Sequence, residues 1–468
     1  MNDFFLLARQ ELALVLIIFG LLFIKVGAKE WSNKALLHLV NGLLLLNFVA
    51  GCLPGYTGVL FNEMFFTGKL AVFEKNVLNL GTLIISLQAY DWLKFHRHVI
   101  EFYILLLSTL LGMFFMISSG NLLMFYLGLE LASIPLAALA GFDLDKRQSS
   151  EAAMKFIISS AFSSGLLLFG ISLLYGSTGT LVFSELPAQL HGSPLQLLAL
   201  VLLLAGFGFK ISAVPFHLWT ADVYEGSPVM VSAYLSVISK GAAVFALLAV
   251  LYRVLQPLAA AWYNIVVVLS VLTMFTGNLF ALRQSNFKRL LAFSSVAQAG
   301  FILAGISGSS PAGMASVVYF VLVYVFSNLG AFGVVALVSA LTGKENTSDY
   351  KGFHKTNPLL AWVMAIALFS LAGVPPAAGF FGKFFLLIAA AGKGNYTLVV
   401  IAAANMVISL YYYLTIIRIM FIDRNEHEPI ATLPVHLYPK LALFICMAGI
   451  LVLGLFSQVY AYIYSISL

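Results

Sequence analysis

Five ionisable residues stand where the chain is otherwise apolar. Lys155, Lys210, Lys240 and Lys383 fall inside long hydrophobic runs, and Glu130 lies in NLLMFYLGLELASIPLAALAG. An ionised side chain at the centre of a helix in lipid costs at least ~2.5–3.5 kcal/mol on insertion scales, so such residues pair, face water or lie on ion pathways. Desolvation weakens the hold of a buried ammonium on its proton, and an approaching carboxylate strengthens it. Glu130 and Lys210 on neighbouring helices would therefore form a proton switch. Lys155 follows Glu151 by four residues near a helix start, a spacing that also suits a local ion pair. His217 belongs to the type that titrates near ~6.5 and so suits a relay; bonding to freed backbone is the plainer alternative.

The segment GFGFKISAVPFHLW, residues 206–219, combines Lys210 with Pro215, and SLAGVPPAAGFFGKF combines Lys383 with Pro375 and Pro376. Proline inside a span frees backbone carbonyls, which a membrane accommodates only where protein or water satisfies them. Two broken helices, each with a lysine, predict hydrated polar pockets near mid-membrane.

The elements that position these residues are membrane spans. Hydrophobic residues make up 61% of the 468 positions and charged residues only 9%, so the expected fold is all-α and polytopic. Apolar windows give fourteen transmembrane helices near 8–26, 35–53, 70–90, 99–118, 121–141, 152–176, 195–219, 227–252, 259–282, 287–306, 311–341, 357–391, 394–417 and 437–465. The first starts with Asp3 and Glu11 and has no A-x-A site, so it reads as an uncleaved helix. Sixteen lysines and arginines, including Lys25, Lys29, Lys94, Lys146, Lys288, Arg289, Lys344 and Arg424, then share one side, against Arg9, Lys69, Lys75, Arg253 and Lys393 on the other. This bias places both termini outside, and it accounts for the net charge of +6 without nucleic acid. Cys52 and Cys446 are too far apart in sequence to suggest a thiolate metal site or an iron–sulfur cluster, and no nucleotide-binding glycine motif occurs. Redox chemistry must then belong to partners.

The seventh and twelfth spans, aligned SAVPFH on LAGVPP, are counterparts five helices apart. LLMFYLGLE matches LLAFSSVAQ, and KFIISSAFS matches YFVLVYVFS, in the same order. An odd interval inverts successive units, giving two inverted-topology five-helix repeats, each with a proline-broken helix. Under this alignment Glu130 corresponds to Gln298 and Lys155 to Tyr319. The expected segments are residues 1–98 with helices 1–3, 99–256 and 257–428 as the repeats, and 429–468 with helix 14.

HLWTADVYEGSPVMVSAYLSVISKGAAV, the GLE around Glu130, FKRLLAFSSVAQAGF and LAGVPPAAGFFGKF together resemble subunit N of the bacterial proton-pumping NADH–quinone oxidoreductase, over nearly the whole chain. VPFH and the pattern before Lys240 are shared with the wider antiporter-like set, whereas DVYEGSP is closer to subunit N. Ala221 replaces the proline expected in the WTPD run. The resemblance implies a membrane-arm subunit of the bacterial inner membrane that moves protons outward through Lys210, Lys240 and Lys383, with Glu130 as switch and Lys155 and His217 in support. It implies that NADH, FMN, iron–sulfur clusters and quinone act in other subunits, with no cofactor or metal here. The implied partners are a second antiporter-like subunit and small membrane subunits within the lipid bilayer. The competing readings are a subunit of a multi-subunit cation/proton antiporter or hydrogenase-type complex, and a non-pumping scaffold.

Overall fold

The computed structural model describes residues 2–27, 31–54, 56–423 and 430–467. Lys29, Arg424 and the expected boundary between 428 and 429 lie outside them. Among the described residues twelve helices are long and apolar enough to cross a membrane, and they coincide with expected spans two to eleven, thirteen and fourteen. The first span is the Arg9–Val26 helix, which carries Arg9, Glu11 and Lys25. The twelfth is divided into Pro358–Ala372 and Ala378–Ala391. The last is shorter than expected, since Leu437–Leu455 is followed by a separate Gln458–Ser467 helix. The one exception to the helical plan among the described residues is a short antiparallel hairpin pairing Gly58–Leu60 with Phe65–Thr67.

The seventh span is also divided. Pro194–Ile211 stops where Ser212 takes φ 61°, and Leu218–Gly226 follows; in the twelfth, Pro358–Ala372 stops where Gly373 takes φ 87°. Each interruption contains a cis X–Pro bond, at Val214–Pro215 and Pro375–Pro376. The Val229–Val254 span contains π-helical turns at Leu235–Ser239 and Val250–Val254. Such turns leave the regular hydrogen-bond pattern and recur at functional sites; the first ends directly before Lys240.

Contacts divide the chain into two compact units: Met1–Leu83 with Leu93–Ile211 and Ile238–Ile265, and Ile84–Trp92 with Ser212–Val237 and Val266–Leu468. These units cut the first broken helix at its interruption rather than following the two repeats end to end. In the first unit Val99–Ile117 and Leu122–Ala140 meet backbone to backbone. A Cβ at Gly112 would lie 2.4 Å from the Ala132 nitrogen, so only glycine fits there. The second unit repeats the device: a Cβ at Gly277 would lie 2.4 Å from the Ala297 nitrogen.

These internal geometries fix the repeat's register. Asn121 caps Leu122–Ala140 by accepting from the Met124 amide at 2.7 Å, and Asn286 caps Phe287–Ile306 by accepting from the Arg289 amide at 3.2 Å. Asn121 to Asn286, Gly112 to Gly277 and Ala132 to Ala297 are each 165 positions apart. Both repeats continue with a 32-residue helix, Arg147–Thr178 or Pro311–Thr342, closed by a left-handed glycine, Gly179 or Gly343. The capping asparagines bridge to Val182 and Asn346, three residues beyond those glycines. Glu130 therefore corresponds to Ser295, and Ser133 to Gln298, three positions away from the expected alignment. The Lys155–Tyr319 correspondence keeps the 164-residue interval of the two glycines. At the interruptions Ser212 corresponds to Gly373 and Pro215 to Pro376, an interval of 161.

Lys75, counted among the outer-side charges, sits inside the Lys69–Gln88 helix within the expected third span, buried and paired with Glu11 at 2.8 Å.

Candidate functional site

In the first unit Lys210 occupies the last turn of Pro194–Ile211. Its ammonium donates to Ser133 and, at 3.2 Å, to Ser160, and lies 5.8 and 5.7 Å from the ring centres of Phe156 and Phe209. Ser133 follows Glu130 by three residues, on the same face of its helix. The Glu130 charge acts on Lys210, but no ion pair joins them among the described residues. Tyr126 offers its hydroxyl to Glu130, while Oε1 of Glu130 is buried without a hydrogen-bond partner. Two serine oxygens thus hold the ammonium, and one carboxylate oxygen is left without a partner.

Lys240 also belongs to the first unit and is 2% exposed. Lys155 is placed differently. It is exposed on Arg147–Thr178 and pairs with Glu151 at 2.8 Å, the local ion pair that its spacing allowed. The hydrogen-bond partners of Lys210 are Ser133 and Ser160 rather than Lys155.

In the second unit Lys383 is 1% exposed on Ala378–Ala391. Its ammonium donates to the carbonyls of Leu371 at 2.7 Å and Ala372 at 3.2 Å, and lies 4.7 Å from the Phe301 ring centre. Those carbonyls close the preceding half-helix, where the last four C=O groups lack intrahelical donors and the helix dipole favours a cation. Both interruptions thus carry a lysine, held differently: Lys210 lies in the last turn of the first half-helix and is bonded by serines of neighbouring helices, whereas Lys383 reaches from the second half-helix to the carbonyls that end the first. Gly373 makes room: a Cβ there would lie 3.2 Å from Lys383 Cδ.

Polar groups continue from Lys383. Gln298 Nε2 donates to the same Leu371 carbonyl at 3.1 Å and to the Tyr413 hydroxyl at 3.3 Å, and Tyr413 also bonds to Ser294. A small cavity is lined by Lys383, Gln298, Tyr324, Ser327 and Ser370. Tyr324 hydrogen-bonds to Ser236 at 3.2 Å and accepts from Asn328 at 2.7 Å. His217, 7% exposed, precedes the second half of the first broken helix, and its Nδ1 is buried without a partner.

DVYEGSP and FKRLL join at one end of this unit. Arg289 binds Asp222 at 2.9 Å and Glu225 at 2.7 Å, while Lys288 reaches Glu345 at 3.1 Å. Sequence reasoning missed Asp222 and Glu225 as charge partners, and Ser133, Ser160, Gln298 and Tyr413 as neighbours of the lysines. Ser133 alone carried a signal, its helical spacing from Glu130. Among the described residues no group of three His, Cys, Asp or Glu could hold a metal ion.

Buried lysines at helix interruptions, one beside a glutamate, within a helical membrane bundle, define an antiporter-like membrane subunit. A family model described as NADH:quinone oxidoreductase/Mrp antiporter, TM, matches residues 119–409. NADH-quinone oxidoreductase subunit N of Phocaeicola vulgatus is 49% identical over 422 residues, covering 89% of each chain. The subunit N of Azobacteroides pseudotrichonymphae is 45% identical over 470 residues, covering 99% of this chain and 98% of the relative. A chain of respiratory complex I from Thermus thermophilus, solved with bound aureothin, superposes with a TM-score of 0.82 at 30% identity, covering 95% of this chain and 97% of that one. The chain belongs to the subunit N family of NADH-quinone oxidoreductase.

Proposed function

We propose that this chain carries protons outward across the membrane as a membrane-arm subunit of NADH–quinone oxidoreductase, driven by NADH oxidation and quinone reduction in other subunits. The observation that supports this reading is that Lys210 rests on Ser133 and Ser160 while Glu130 keeps an unpartnered oxygen. When Glu130 closes on Lys210, the ammonium is held; when it withdraws, the buried cation loses its counter-charge and releases its proton. We assign transfer in the order Lys210, Lys240, Lys383, with His217 as a relay at the first interruption and Lys155 in support. Residues 99–256 and 257–428 form the two repeats of this reading.

The energy enters from outside the chain. Moving one charge against 100 mV costs about 2.3 kcal/mol, and flavin, iron–sulfur and quinone chemistry stand in the other subunits. The partners are a second antiporter-like subunit and small membrane subunits, in the bacterial inner membrane with both termini outside. This orientation rests on the charge bias of the loops. The test is Glu130→Gln in the assembled enzyme. Loss of the negative charge at nearly constant shape should leave assembly intact and sharply lower NADH-driven pumping together with coupled quinone reduction. Normal pumping in a fully assembled variant would remove Glu130 from the switch.

A further inference from the structure

The first unit contains a second charge cluster, buried except for Arg253, which the lysine chain does not use. Lys75 donates to Glu11 Oε1 at 2.8 Å, with the two side chains 1% and 3% exposed, and Ser118 Oγ lies 3.4 Å from the same oxygen. The adjacent Glu74 is 6% exposed, and the charges acting on it are those of Arg253 and Lys75. With both carboxyl groups ionised, two carboxylates and two cations balance and the cluster is neutral. Of the other titratable groups nearby, Arg9 is turned to the Leu53 and Pro54 carbonyls, and Cys52 accepts from Asn76 at 3.2 Å. Arg253 ends the span that carries Lys240, so one helix serves both sites.

Unsatisfied polar atoms lead away from the cluster. Glu11 Oε2, Gln10 Oε1, Asn79 Oδ1 and both amide atoms of Asn47 are buried with no hydrogen-bond partner. Their order follows from packing. Asn76 Oδ1 accepts from Gln10 at 3.3 Å and crowds Gly51, while Asn79 Nδ2 donates to the Leu44 carbonyl at 3.2 Å. Leu44, Asn47 and Gly51 share one face of Asn33–Cys52, so Asn47 stands between those two contacts. From Leu44 to Gly51 the seam runs about 10 Å at the helical rise. A buried amide with neither atom bonded is costly in an apolar medium, and water is the partner that relieves it.

We propose that this seam holds water and that the Glu11–Lys75–Glu74–Arg253 cluster is a further proton-exchange site, at the end of the unit that the loop charges place outside. A carboxylate takes a proton from hydronium and leaves water, which turns the neutral cluster into a monocation; the reverse step restores it. The outward sense rests on the proton-translocation reading above, but the exchange itself does not.

The test is infrared difference spectroscopy of the carboxyl C=O band in the assembled, membrane-reconstituted enzyme, with pH changed and D2O supplied on the outer side. A protonatable carboxyl band should be lost in Glu11→Gln or Glu74→Gln, and its persistence in both would overturn the assignment. Asn47→Leu leaves every charge in place and removes the water anchor, so it covers the case in which the glutamine variants do not assemble. It should slow deuteration of that band by about tenfold, and unchanged exchange would overturn the seam. Loss of pumping with Glu130→Gln but normal carboxyl exchange would support both readings separately.

Discussion

At the residue scale, the contacts of Lys210 explain how a lysine can be held without being locked. Hydrogen bonds to a charged group contribute about 1.5–3 kcal/mol each, and two serines share that role opposite a carboxylate whose charge is felt without contact. Removing both acceptors with Ser133→Ala and Ser160→Ala should shift Lys210 toward Glu130 and hinder proton release. NADH-driven pumping by the assembled double variant is expected to fall by about a hundredfold, the effect of two such bonds at about 1.5 kcal/mol each; wild-type rates would show that the serines do not hold the mobile state. The lysines and Glu130 were legible in sequence because charge inside an apolar run has few explanations. Ser160, Gln298 and Tyr413 were not, because serine, glutamine and tyrosine are common in spans and only tertiary packing shows which ones meet a cation. The partner of Lys75 was not legible either, because Glu11 lies 64 residues away in sequence.

At the element scale, prolines announced both interruptions, but the two short half-helices on either side depend on left-handed turns at Ser212 and Gly373 that residue types only hint at. The π-helical turn before Lys240 has no composition signal at all. Register was misread for a related reason: apolar helices match one another at several offsets, whereas capping asparagines and close-packed glycines admit one. Gly373 gives the element-scale prediction. Alanine there meets a positive φ that costs roughly 1–2 kcal/mol for an L-residue and places a Cβ 3.2 Å from Lys383 Cδ. Gly373→Ala should still yield an inserted chain, with pumping reduced through displacement of Lys383 from the Leu371 and Ala372 carbonyls. An assembled variant with unaltered pumping would show that this cradle is not needed.

At the scale of the whole molecule, the fold is two helical units, each with a lysine at a helix interruption, with the energy source in other subunits. Most of the spans were readable from hydropathy because lipid requires long apolar segments: among the described residues twelve of the expected fourteen coincide with helices long and apolar enough to cross a membrane. The division into contact units was not, because it cuts through continuous helices. The central claim is that Lys210 carries a proton rather than merely a charge. Guanidinium keeps its proton in almost any protein environment, so Lys210→Arg preserves the cation and blocks transfer, whereas Lys210→Ala removes both. The deciding measurement is NADH-driven proton translocation in proteoliposomes containing fully assembled enzyme with Lys210→Arg, compared with Lys210→Ala. The account predicts that both lose pumping; near-normal pumping with arginine would contradict it.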